Sequence, residues 1–340
     1  MQMIRVEDAV GTVLCHDITR IVPGQVKGPM YKKGHVVAEE DVGELLKLGK
    51  EHLYVWELRE GCVHENDAGL RLARALCGPG LTLTEPSEGK VKIIAAIDGM
   101  CAINEERLLQ INMMEEIVVA TINNQRPVKK GTVVAGARVV PLVIEQAKLA
   151  MAEKIAAGNN VITVVPFQSL RVGIITTGSE IYQGRIADKF GPVVREKAEA
   201  YGSTVIDHII VPDDKDRIAD ALKKLISAGA ELILTTGGMS VDPDDVTPGA
   251  IKQAGAKIIT YGAPVLPGAM LMVAYLGKVP VLGLPGCVMY HKTTVFDLVL
   301  PLVLTGRTIT RPLVAKLGLG GLCLECDVCR YPQCSFGTGA

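Results

Sequence analysis

From Arg171 onward the sequence predicts a three-layer α/β/α domain with a mostly parallel sheet, preceded by a mixed α+β region. Three observations predict it. "RVGIITTG" and "AELILTT" are nearly continuous apolar runs, the kind buried on both faces of a parallel sheet. They alternate with stretches of helical period such as "DDKDRIADALKKLISAG". Strand, helix, strand and helix then follow one another at the spacing that three-layer packing requires.

The elements divide into four parts: a small β-rich segment over 1–60, an α+β domain with a connector helix over 61–165, the α/β domain over 166–310, and a cysteine-rich tail over 311–340. In the first part a helix from Glu39 or Glu40 to Leu48 is stopped by Gly49, and a strand starts at His52. In the second, Asn66 or Asp67 is expected to cap a helix whose Leu70, Ala73 and Leu76 share a face. "KVKIIAAI", "EEIVVATI" and "GTVVAGARVV" read as strands and "NEERLLQIN" as a short helix. "PLVIEQAKLAMAEKIAAG" reads as a long helix with Pro141 near its start and Gly158 past its end.

In the third part, "RVGIITTG" is followed by a helix from about Pro192 to Tyr201 and the strand "TVIDHIIV". The next helix is capped by Asp213 or Asp214, has Ile218, Leu222, Leu225 and Ile226 on one face, and ends at Gly229. After "AELILTT", Thr247 and Pro248 start a helix that runs to Ala254. Strands near Lys257–Thr260, Met270–Tyr275 and Val279–Leu282 lead to a helix from about Val288.

Bulk composition narrows the function. Of 340 residues 48% are hydrophobic, enough for sizeable cores, and 36 Lys+Arg stand against 37 Asp+Glu. With only 4% aromatics and no basic stripe, a nucleic-acid partner is not expected. The apolar stretch from Val295 to Leu304 is short and broken by Asp297 and Pro301, so no membrane span is expected. The N-terminus is charged and lacks an apolar signal core, which makes cytoplasmic the default location.

Ligands of an open parallel sheet bind beyond the carboxyl ends of its strands. Three loops fall there: "TTGSEIYQGR", "TTGGMSVDPDDVTPG" and "LPGCVMYHK". Thr235, Thr236, Gly237, Gly238 and Ser240 offer N–H and hydroxyl donors suited to phosphate. Asp242 and Asp244 fit turn and capping chemistry or Mg²⁺ equally well, whereas Asp245 and Glu180 stand on the candidate rim. Common nucleotide fingerprints and the serine-hydrolase elbow are absent. His208 and His291 read as packing or surface residues.

Taken in order, "TTGSE" with "GRIADKFGP", "VPDDKDRIADAL", "TTGGMSVDPDDVTPGA" and "GLPGCVMY" resemble the molybdenum-cofactor biosynthesis, or molybdopterin-binding, domain. Molybdotransferases and molybdopterin adenylyltransferases share that fold, and the resemblance covers roughly Arg171 to Gly306. Upstream, "GPMYKKGHVVAEEDVGELLKLGKEHLYV" is similar to the segment preceding this domain in molybdotransferases.

The resemblance implies that Thr177, Gly178, Ser179, Gly237, Gly238 and Ser240 bind the phosphate and pterin of molybdopterin, with Pro285 and Gly286 lining the pocket. It implies that Glu180, Asp214 and Asp245 occupy the acidic positions associated with metal insertion, with Mg²⁺ as a helper. A homo-oligomer, a molybdoenzyme client and transferase activity are further implications. The departures are "LPGAM" in place of Lys-Pro-Gly-Lys-Pro, "PGCV" in place of Pro-Gly-Asn-Pro, and "TGGMS" in place of Thr-Gly-Gly-Thr-Gly.

Nine cysteines complete the inventory. Cys15, Cys62, Cys77, Cys101 and Cys287 are scattered and read as reduced thiols. Cys323, Cys326, Cys329 and Cys334 form the run C-x2-C-x2-C-x4-C, close to a ferredoxin spacing but with one extra residue before the last cysteine. An iron–sulfur cluster and a Cys₄ zinc ion are the competing metal readings, against a metal-free tail. Three functions are thus expected: a molybdopterin-binding protein that matures or delivers the cofactor, a molybdotransferase inserting molybdate or tungstate, or an electron-transfer or metal-sensing protein acting through the tail.

Overall fold

A computed structural model describes residues 2–22, 26–55, 61–158, 160–240 and 245–339. The chain forms two compact units. One comprises Met1–Ala96, Ile103–Ile122 and Gly131–Thr163, the other Ile97–Ala102, Asn123–Lys130 and Val164–Ala340.

In the first unit the strand Gln2–Arg5 pairs antiparallel with His52–Val55, and Ile18–Val22 forms a hairpin with Val26–Tyr31. The helix Glu39–Lys47 ends as expected at Gly49, whose φ is +74°. There the Lys50 N–H turns back to the Leu45 carbonyl at 3.0 Å, closing a left-handed cap that glycine adopts without strain. Val6, Leu14, Ile18, Leu45 and Leu53 form the small core beneath.

The rest of this unit is a four-stranded antiparallel sheet with the strands Leu81–Leu83, Val91–Ala95, Val133–Val139 and Ile117–Thr121 in that spatial order. It is accompanied by the helices Glu65–Leu76, Glu105–Asn112 and Gln146–Ala156. Two expectations are corrected. The cap of Glu65–Leu76 is the His64 ring, which accepts the Asn66 N–H at 3.2 Å. The connector helix begins at Gln146, because Val143–Glu145 pairs antiparallel with Cys62–His64 and buries Ile144.

The second unit carries β1 (Arg171–Thr177), α1 (Ser179–Tyr182), α2 (Phe190–Glu199), β2 (Thr204–Val211), α3 (Lys215–Ser227), β3 (Leu232–Thr236) and α4 (Thr247–Gln253). β4 (Lys257–Tyr261), β5 (Met272–Leu276), β6 (Val279–Leu284), α5 (Val295–Leu304) and α6 (Arg311–Lys316) follow. The sheet order is β2-β1-β3-β6-β5-β4. β2, β1, β3 and β6 are parallel, and β5 is antiparallel to both its neighbours.

Side chains alternate across this sheet, and both faces are covered. Val172, Ile174, Leu232, Leu234, Leu282 and Leu284 pack with α2, α5 and α6. Ile175, Ile233, Val281, Met272 and Ala274 pack with α3 and α4. This is the predicted three-layer arrangement. α5 is buried at nearly every position, as expected for a helix apolar all round.

Two boundaries and one further helix differ from expectation. α2 starts at Phe190, where the Asp188 carboxylate meets its first N–H groups. Gly286–Met289 is only a 3₁₀ turn, and α5 begins at Val295 behind a capping box of Thr294 and Asp297. α6, capped by Thr310 with Pro312 in its first turn, was not expected.

Candidate functional site

The parallel register places the three glycine-bearing loops side by side. Thr176 is opposite Thr236, and Thr236 opposite Leu284, so β1, β3 and β6 release their loops at one end of the sheet. Two of these loops are stitched together. Thr247 Oγ1 donates to the Gly237 carbonyl at 3.0 Å and stands 3.2 Å from Thr177 Oγ1. The Thr247 N–H reaches the Gly238 carbonyl at 3.3 Å. Thr247 therefore lies inside the first turn of α4 and does not cap it; Val246 holds the cap position with no side-chain bond.

Glycine is required at the crossing. Gly237 has φ +86°, and a Cβ there would strike the Thr177 carbonyl. At Gly238, φ +55°, a Cβ would come 2.7 Å from Thr247 Oγ1. The Thr177 side chain is buried and faces Thr247, so only its backbone remains for a ligand. Ser240 is exposed, and its carbonyl and that of Met239 accept the Tyr261 hydroxyl at 3.1 and 2.9 Å. Asp245 is half-buried and its charge, after burial itself, raises the Tyr261 pKa. Asp242 and Asp244 lie outside the described residues.

On the first loop, Gly178 has φ +150° and Ser179 opens α1. Glu180, in that same turn, is exposed. The Ser179 N–H donates to Asp213 at 2.8 Å, and the Asp213 N–H returns to Ser179 Oγ at 3.3 Å. Asp213 is thus the carboxylate that meets the loop, while exposed Asp214 caps α3 by accepting the Arg217 N–H at 2.9 Å. Arg217 also donates to the Tyr182 hydroxyl at 3.0 Å. In the late loop Pro285 is buried and Gly286 exposed, with open space where a Cβ would lie.

A polar network under the first loop was missed by the sequence reading. His208 is half-buried, not a simple surface or packing residue. Its Nε2 lies 2.9 Å from Thr176 Oγ1 and 3.2 Å from Asp188. Thr176 Oγ1 donates to Asp188 at 3.1 Å and receives Thr236 Oγ1 at 3.2 Å. Burial pulls the His208 pKa below 6.5, against the opposing pull of Asp188. Asp188 also accepts the N–H groups of Phe190 and Gly191 at 2.8 and 3.1 Å, fixing the loop's end to α2. Gly191 leaves room for the His208 ring, which a Cβ would strike. The available signal was an aspartate two residues before a helix.

The four tail cysteines line one cavity of about 290 Å³, together with Tyr290–Thr293 from the connection following the late loop. Cys329 Sγ lies 3.1 Å from Thr293 Oγ1. Among the described residues, no group of three or more His, Cys, Asp or Glu stands in metal-holding geometry. His291 is outside any helix and 3.7 Å from Glu325. The scattered cysteines are free thiols, and burial pushes Cys77 to about 11 and Cys101 to about 12. Among the described residues, no helix is long and apolar enough to cross a membrane.

Residues 173–305 match the family profile described as "Probable molybdopterin binding domain", and residues 3–57 match one described as "Domain of unknown function (DUF8806)". The chain is 34% identical over 95 residues to a molybdopterin adenylyltransferase of Pyrococcus furiosus, covering 28% of this chain and 56% of that protein. It is 29% identical over 143 residues to a molybdopterin molybdenumtransferase of Synechococcus elongatus, covering 39% and 36%. The chain therefore spans from about a third to just over half of these relatives. A solved molybdopterin biosynthesis enzyme, MoaB from Thermus thermophilus, is 23% identical with a TM-score of 0.33, covering 41% of this chain and 98% of that one. The matched segment contains all three rim loops, and over residues 173–305 the chain is similar to the probable molybdopterin binding domain.

Proposed function

We propose that this protein binds molybdopterin on the rim of its parallel sheet and matures the cofactor or delivers it to a molybdoenzyme. The observation that carries the reading is the stitching of Gly237 and Gly238 to Thr177 and Thr247, which fixes adjacent backbone donors at the strand ends. In this reading the amides of Gly237, Gly238 and Ser240 receive the phosphate, while Thr177, Gly178 and Ser179, with the Gly178 and Ser179 N–H groups held by the Val211 carbonyl and Asp213, line the pterin beside Pro285 and Gly286. Magnesium shares its coordination between few protein carboxylates and phosphate oxygens, and exposed Glu180 and half-buried Asp245 suit such a shared site. Bound there, it would offset the charge of the incoming anions. Asp214 acts by fixing the start of α3 beside the loop.

The test is titration of the folded protein with molybdopterin; no binding would overturn the reading. Gly238→Ala, which sets a Cβ 2.7 Å from Thr247 Oγ1, is expected to weaken binding at least about tenfold, ~1.4 kcal/mol. If the protein also inserts molybdate or tungstate, Asp245→Asn should abolish insertion while binding persists. Unchanged insertion would remove Asp245 from that role. A cytoplasmic location and a homo-oligomeric state belong to the same proposal, and sedimentation of the purified protein tests the latter.

A second reading, that the chain also works through a metal held by Cys323, Cys326, Cys329 and Cys334, is favoured by one observation. All four cysteine residues line a single cavity.

A further inference from the structure

The strand Arg126–Val128 pairs antiparallel with Gly99–Ile103, with Arg126 opposite Cys101. Its side chains alternate, so Arg126 and Val128 are buried while Pro127 is only half-buried. Alternation has thus carried a guanidinium into the core, and Arg126 is only 3% exposed. A charge at that depth is tolerated where its N–H groups find acceptors. Arg126 Nη2 donates to the Cys334 carbonyl at 2.7 Å, and the guanidinium carbon lies 5.8 Å from the centre of the Tyr331 ring. Both partners belong to the C-terminal tail, and Cys334 lies 208 residues further along the chain. Arg126 therefore fastens the tail to the second unit.

The fastening has two loose ends. Among the described residues, Arg126 Nε is buried and finds no acceptor, and buried Gln125 Oε1 receives no donor. Both residues line one cavity of about 10 Å³, whose other walls include Met100, Leu298, Leu302 and Tyr331. Gln125 itself reaches this place from a left-handed backbone, φ +53°, at the start of the strand.

We propose that one water molecule occupies this cavity, accepting the Arg126 Nε–H and donating to Gln125 Oε1, and that it completes the attachment of the tail. Size and polarity both point to water. The cavity has room for about one water, and a buried water is held by about two or more polar partners. One donor and one acceptor are the complement of a molecule that both accepts and donates. A halide would suit the guanidinium but would also meet the Gln125 oxygen, which offers it no hydrogen. A dry cavity would leave two buried polar atoms unpaired. The guanidinium is planar, so a bond that fixes Nε also fixes the direction of Nη2 towards Cys334 and of the flat face towards Tyr331. Through the water, Gln125, which makes no hydrogen bond to the tail, helps to hold it.

The test has two arms. The first is a crystal structure of the full chain at a resolution that shows ordered waters, from crystals soaked in sodium bromide. The expected result is one water within hydrogen-bond distance of both atoms, with no bromine anomalous signal there. An empty cavity would overturn the proposal, and so would a bromide. The second arm is alkylation of Cys334, followed by mass spectrometry, in the wild type, Gln125→Met and Arg126→Lys. Gln125→Met removes the acceptor of the water, and Arg126→Lys keeps the charge but loses the planar fork. Both should speed alkylation of half-buried Cys334 about tenfold as the tail opens more readily, while buried Cys15 of the first unit keeps its rate. An unchanged Cys334 rate in Gln125→Met would overturn the coupling of the water to the tail. An equal rise at Cys15 would mean general unfolding and overturn it as well.

Discussion

Thr247 Oγ1 stands between the Gly237 carbonyl and the Thr177 hydroxyl, where water has little access. Replacing that hydroxyl by a methyl of similar size leaves both partners short of a bond. Unsatisfied buried polar groups cost about 1–3 kcal/mol each, so Thr247→Val is expected to lower unfolding stability by about that amount. Thr247→Ser keeps the hydroxyl and should recover most of the loss, as read from the urea midpoint at constant slope. Equal loss in both variants would mean that the methyl, not the hydroxyl, matters. The sequence made Thr247 legible as part of a helix start and left its tertiary role hidden. Its partners are 10 and 70 positions away, and no local pattern encodes such a contact.

At the scale of elements, local and distant causes separate clearly. β2 is read at its observed bounds and the Gly49 stop is confirmed, because alternation and a left-handed glycine are local signals. The stretch at Pro141 misleads, because Val143–Glu145 is claimed by a strand about eighty residues earlier. α5 shows the same competition. Its start is set at Val295 by Thr294, which accepts the Phe296 N–H at 3.2 Å, and by Asp297, which accepts the Thr294 N–H at 2.7 Å. Asp297 also receives Lys197 of α2 at 2.6 Å on both oxygens, both side chains being largely buried. Thr294→Ala should therefore cost about 1 kcal/mol as the loss of a cap. Asp297→Ala removes a cap and strands the Lys197 charge, so its cost should exceed that of Thr294→Ala by about 1–3 kcal/mol. Chemical denaturation of the two variants measures the difference; equal costs would assign the ion pair no net stabilisation.

Across the whole molecule, the histidines couple folding to pH in both units. Burial lowers the pKa of His16 and His64 in the first unit and of His208 in the second. An unfolded chain takes up protons at these rings near pH 6.5, while the folded chain resists them to lower pH. The unfolded state then binds more protons, so stability is fully present above about 6.5 and declines as the pH falls below it. Glu65 acts in the opposite sense. Burial raises its pKa, so its contribution is greatest at low pH and fades as the pH rises from 4.5 through the raised value. The histidine effect is therefore cleanest at the upper edge of its range, between about pH 7 and 6. His208→Gln, which cannot charge, should flatten the loss of stability on acidification there, although it lowers stability at pH 7 by disturbing Thr176 and Asp188. The check is the unfolding free energy measured in steps from pH 8 to 5.5 for both proteins. Parallel curves would mean that His208 has no part in the coupling. A shallower slope in the variant would place a proton-sensitive brace directly under the first loop of the rim.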